Sequence, residues 1–201
     1  MKRLVIAVGA IALVSACSSR EAPMEGPGAP LADPGSPLAA PTYMAMAASS
    51  DLFEIQSGQL AAQSSQNPAV RNFGNLLVAH HTFTTNQLMA AAQSAGLTPP
   101  PPALLPPHQA MLDQLRAAGP NFDTAFRDIQ VQAHQEALAL HQNYAAGGDV
   151  PALRTVAGAA VPIIQQHLSA AQALNVTMVP PPGMAPAPSP AMGTPPSGER
   201  G

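Results

Sequence analysis

Between Leu153 and Leu174 the apolar positions recur at alternating intervals of four and three. They are Leu153, Ala157, Ala160, Ile164, His167, Ala171 and Leu174, with one histidine standing in the series. That is the seam of a helix packed against other helices, and it admits neither a strand nor an isolated surface helix. The surrounding sequence is dense in Ala, Gln and Leu and poor in β-branched runs, which extends the helical reading over the whole middle of the chain.

Proline and glycine divide that middle into segments. A first helix is expected from about Met44 to Gln66, with the Asp51/Glu54 spacing of a capping box offering a later start near Ser50. Asn67-Pro68 suits the cap and first position of a second helix running to about Ala95, stopped by Gly96. Its stripe is Val70, Phe73, Leu77, Leu88 and Ala91, interleaved with His80, His81 and Thr84. The run Thr98 to Pro102 cannot be helical and leads to a short piece, His108 to Ala118. Asn121 is expected to cap a third long helix reaching Ala146, and Asp149 a fourth with Pro151 in its first turn and a kink at Pro162. Short turns join the first pair and the last pair, and the proline-rich link joins the pairs. The expected fold is all-α: an antiparallel four-helix bundle, ferritin-like in its one long connection.

Residues 1–16 have a positive start at Lys2 and Arg3 and an apolar stretch too short to span a bilayer, as in a secretory signal peptide. Val14-Ser15-Ala16-Cys17 resembles the lipobox of bacterial lipoproteins, which makes Cys17 the expected lipidation site. Ser18 rather than Asp after it points, by the same resemblance, to the outer membrane. Residues 17–42 read as a lipidated tether, 43–177 as one helical domain and 178–201 as a free Pro/Ala/Gly-rich tail. Loss of residues 1–16 removes Lys2 and Arg3 and leaves six basic against eleven acidic residues, a net charge of −5. A basic nucleic-acid surface is excluded, and the acyl chains would hold the membrane. One cysteine excludes a disulfide framework and a cysteine-based zinc site.

Five of the six histidines fall on the long helices; His108, beside the proline-rich link, reads as a surface residue. Glu54 lies 13 residues before Asn67 and His81 lies 14 after it, so both stand ~20 Å from the turn. His134 and His167 are similarly level across the second hairpin. The expected pairs are therefore Glu54 with His80 or His81, and His134 with His167. Docked in register, Glu54, His81, His134 and His167 form a candidate site for Fe, Zn or Cu. The same four residues also suit a buried polar network that fixes register, and a proton-linked role is open.

A di-iron centre needs Glu-x-x-His, and the positions three before His80, His81 and His167 are Leu77, Val78 and Ile164. His134 and His141 are two turns apart, too far to share one ion easily, and Asp128 and Glu136 read as solvent-facing. No GxSxG, P-loop or HExxH motif occurs, so no catalytic residue is assigned.

The runs DLFEIQSGQLAAQSSQNPAVRNFGNLLVAHHTFTTNQL, FDTAFRDIQVQAHQEALAL and VPIIQQHLSAAQAL together resemble domain-of-unknown-function family 4142, over residues 44–175. The matching positions are Glu54, His81, Gln130 with His134, and Pro162 with His167-Leu168; His80 stands where that family usually has Asp. The resemblance implies a ferritin-like helical fold and a bacterial envelope location, with no established chemistry. Two functions follow as expectations: a lipid-anchored, periplasm-facing structural, stress-related or interaction module with envelope protein partners, or a metal-binding bundle.

Overall fold

A computed structural model describes Asp33 and residues 35–177. The expected signal peptide, Cys17, most of the expected tether and the expected tail from residue 178 lie outside the described residues. The described residues form five α-helices, one 3₁₀ turn (Gly119–Asn121) and no strand: α1 (Ala40–Ser64), α2 (Pro68–Ser94), α3 (Pro106–Ala117), α4 (Phe122–Gly147) and α5 (Pro151–Gln172). None of the described helices is long and apolar enough to cross a membrane.

Helix starts follow proline more than side-chain caps. α1, α2, α3 and α5 each carry Pro in their first two positions, where the missing N–H has no partner to lose. Pro41 therefore opens α1 at Ala40, before the expected Met44, and the Asp51/Glu54 capping box does not form, because both lie buried within the helix. Asn67 does cap α2, its side-chain oxygen accepting from the Ala69 N–H at 2.9 Å. Asn121 precedes α4 but makes no side-chain cap bond. Asp149 is not the cap of α5 either; Val150 takes that position, and the Asp149 carboxylate accepts from the Tyr144 hydroxyl at 2.9 Å. At the end of α2, Gly96 adopts φ 71°, the left-handed stop that glycine permits.

α1 packs on α2 and α4, α5 packs on α4 and α2, and α3 lies against α1 and α4. Contacts run in opposite order along α1 and α2: Gly58 meets Gly74, while Asp51 reaches His81, Thr84 and Thr85. At the first contact the backbones touch. A Cβ on Gly58 would lie 2.5 Å from the Gly74 carbonyl oxygen, and one on Gly74 would lie 2.6 Å from that of Gly58. Six of the seven expected seam positions of α5 are buried, and Leu174 is partly so.

The core has two main apolar clusters. One, near the α1–α2 turn, holds Phe53, Leu77, Leu112, Leu115 and Phe126. The other, toward the start of α1, holds Tyr43, Leu88, Tyr144 and Leu153, with the two tyrosine rings stacked 3.7 Å apart. Between these clusters along the helices lies a layer of buried polar side chains: Asp51, Glu54, His81, Gln130, His134 and His167. A polar layer inside an apolar core requires internal partners, and those partners define the site.

Candidate metal centre

Three imidazoles meet in this layer, one from each of α2, α4 and α5. The ring centroids of His81, His134 and His167 are separated by 5.2 to 5.8 Å. Each ring offers a ligand nitrogen, and these nitrogens all lie within 4.8 Å of one another. All three residues are buried, at 3%, 1% and 1% exposure.

Each ring is held from behind by one nitrogen. His81 Nδ1 donates to Asp51 Oδ1 at 2.8 Å, and Asp51 also accepts from the Thr84 and Thr85 hydroxyls. His134 Nδ1 donates to the Gln130 carbonyl oxygen at 2.8 Å. His167 Nε2 lies 2.8 Å from Nδ1 of His80, a half-buried residue on α2. The opposite nitrogens, His81 Nε2, His134 Nε2 and His167 Nδ1, are buried and have no hydrogen-bond partner. Fixing one imidazole nitrogen by a carboxylate or carbonyl is how proteins set the tautomer of a metal-binding histidine.

The electrostatics divide the three. Burial pushes His81 down, but its hydrogen bond to Asp51 and the charges of Glu54 and Asp51 outweigh this and raise it. Burial lowers His167 to about 3, and the neighbouring histidines add to the fall, so it stays neutral near pH 7.

Glu54 is in the layer but pairs differently from expectation. Its Oε1 lies 3.6 Å from His134 Nδ1, across α1 and α4, and its Oε2 has no partner. The expected pairing with His80 or His81 is corrected: α1 is rotated so that Asp51 faces α2 and Glu54 faces α4. Glu54 is also not in the group whose ligand atoms lie within 4.8 Å of one another, so it stands behind His134. His134 and His167 do come together, as their levels predict.

Asp51 is the residue the sequence reading missed, having been read as part of a cap. The level arithmetic contained the signal, since Asp51 lies 16 residues before Asn67 and Thr84 lies 17 after it. The surface reading of His108 is likewise corrected. The hydroxyl of Ser49 lies 2.7 Å from its Nδ1, and its ring stacks on Phe53 at 5.7 Å. Leu105 N–H also donates to Ser49, so this serine ties the proline-rich link to α1. His141 belongs to a separate pair, with Tyr43. Asp128 and Glu136 are exposed, as expected.

Among the described residues, five buried side-chain atoms lack a partner, and all five belong to this layer: the three imidazole nitrogens, Glu54 Oε2 and Gln130 Oε1. Leaving such a group unmade costs ~1–3 kcal/mol. Three imidazole nitrogens within 4.8 Å of one another suit an ion far better than an organic substrate. The larger hollows, about 590 and 490 Å³, are lined elsewhere, by residues such as Met44, Leu52 and Leu88, or Phe83, Thr155 and Ile163.

A structure described as "CopM in the Cu(II)-bound form" matches with a TM-score of 0.57 at 16% identity, covering 67% of this chain and 93% of that one. At that identity the likeness is one of fold. No curated protein matches. The family described as Domain of unknown function (DUF4142) matches residues 26–174, and the chain belongs to that family.

Proposed function

We propose that this chain is a metal-binding protein of the bacterial envelope, holding one transition-metal ion on His81, His134 and His167. The observation that carries the reading is the set of three buried, partnerless imidazole nitrogens whose rings are each fixed from the opposite side. A polar network whose only task was register would satisfy these atoms with one another. Metal–imidazole bonds of ~2.0–2.1 Å require donors ~3.3 Å apart, so the rings need to close by ~1 Å each, within reach of small side-chain rotations. Three imidazoles and no thiolate suit copper or zinc. Copper is the first ion to test, because the similar structure was solved with Cu(II) bound.

In this reading the helices form an antiparallel four-helix bundle of the ferritin-like kind. The bundle is tethered to the outer membrane by lipid on Cys17 and faces the periplasm. The contact order along α1 and α2, and the lipobox-like sequence, support these two parts. The role is binding, buffering or delivery of the ion rather than turnover.

The test is elemental analysis of protein purified without chelator or nickel resin, with a thermal melt in the presence of Cu(II) and Zn(II). The expected result is one ion per chain that survives dialysis and is lost in His134→Ala. At an ion concentration 100 times Kd the added stability is ~2.7 kcal/mol. Absence of bound metal, with unchanged melts for every ion, would leave the layer as a polar network and overturn the reading.

A further inference from the structure

The two carboxylates beside the three rings have histidines for neighbours and no arginine partner. Asp51 is 6% exposed and Glu54 is 1% exposed. The described residues contain four arginines and no lysine, and all four arginines are engaged elsewhere. Arg71 binds the Ser65 carbonyl oxygen, Arg116 pairs with Asp113, Arg127 with Asp128, and Arg154 binds the Gly148 carbonyl oxygen. Asp51 is met by one imidazole and two hydroxyls, and Glu54 has an imidazole near one oxygen and no hydrogen-bond partner on the other. Burial of a carboxylate without a cation is among the more expensive arrangements in a protein interior.

Resting on the metal reading above, we propose that the centre selects a divalent over a monovalent ion, and that Asp51 and Glu54 set this preference without being ligands. Once they ligate an ion, His81, His134 and His167 are neutral imidazoles and bring no charge to it. With the two carboxylates, a divalent ion makes the layer neutral, whereas a monovalent ion leaves it at −1. Asp51 acts through His81 and Glu54 through His134, so both are positioning and charge-setting groups. With an effective dielectric of ~20 and a separation of ~6 Å, one carboxylate favours the second positive charge by about a hundredfold in affinity. For copper, the consequence is stabilisation of Cu(II) relative to Cu(I).

The experiment measures affinities of the full chain for Cu(II) and Zn(II), and anaerobically for Cu(I), each by competition with a chelator. It compares wild type with Asp51→Asn and Glu54→Gln, which keep shape and one acceptor oxygen while removing charge and turning the other oxygen into an NH2 donor. The ratio of Cu(II) to Cu(I) affinity is expected to fall ~10- to 100-fold for each substitution, with Zn(II) following Cu(II). A parallel loss for both oxidation states would mean that the carboxylates only orient the rings and would overturn the proposal while leaving the metal site standing. Failure of the wild type to take up any of the three ions would overturn both. Should the substituted chains not fold, the wild type alone decides. Its bound copper is expected to have a reduction potential below that of the aqueous couple, and a higher potential would refute the charge argument.

Discussion

His141 makes the stability of this protein depend on pH in a way that can be isolated. It is 8% exposed, on α4 against α1, and its Nδ1 lies 3.0 Å from the Tyr43 hydroxyl, within hydrogen-bond distance. Burial raises the Tyr43 hydroxyl well above its usual range, so it stays protonated. Burial likewise lowers His141 to about 4, with the charge of Asp51 opposing and that of His81 assisting. In the unfolded chain the same group titrates near 6.5. Above pH 6.5 it is neutral in both states. As the pH falls from 6.5 to about 4, the unfolded chain binds a proton that the folded chain refuses, and stability is lost over that window. At 1.36 kcal/mol per pH unit the total is about 3 kcal/mol. His167 acts in the same direction and His81, being raised, in the opposite one, so a wild-type profile alone would mix them. The assay is therefore urea unfolding of wild type and His141→Gln at intervals from pH 7.5 to 4. The difference in stability between the two should narrow or reverse by about 3 kcal/mol across the window. A difference constant to within ~0.5 kcal/mol would refute the argument that burial holds this imidazole neutral.

Other predictions follow from single contacts. Gly74→Ala places a Cβ 2.6 Å from a backbone oxygen on α1, which cannot rotate away, so it should destabilise by ~1–3 kcal/mol despite the better helix propensity of alanine. Gly158→Ala, whose Cβ meets only an ordinary 3.8 Å contact with Ala145, should instead stabilise by up to ~1 kcal/mol; thermal melts of the two distinguish them. Asp51→Ala deprives His81, Thr84 and Thr85 of their shared acceptor and should cost ~3 kcal/mol or more by urea unfolding, while Gln132→Ala on the exposed face of α4 should be silent to within ~0.5 kcal/mol. Asn67→Ala removes both the α2 cap and the bond from its amide to the Asn175 carbonyl oxygen, and a loss of ~1–2 kcal/mol is expected.

Much of the site was legible because helix rise converts residue counts into height. Counting from the turns placed Glu54 and His81, and His134 and His167, at matching levels, and the polar layer lies there. Counting does not give rotation about a helix axis. That rotation depends on which residues pack, and here the Gly58–Gly74 contact brings α1 onto α2. Asp51 then faces α2 and takes His81, and Glu54, less than one turn further on, faces α4 and lies beside His134 instead. His108 was misplaced for a related reason. Nothing local in a proline-rich link shows that Ser49 will anchor it to α1. The early start of α1 is written in Pro41, which takes one of the first positions of the helix.

The most direct test of the central claim is the paramagnetic resonance spectrum of the full chain loaded with one equivalent of Cu(II). Three imidazole rings around one ion predict nitrogen hyperfine structure from three equatorial nitrogens, reduced on His81→Ala, His134→Ala or His167→Ala and unchanged on His141→Gln. A spectrum of copper on scattered surface sites, insensitive to those three residues, would contradict the account.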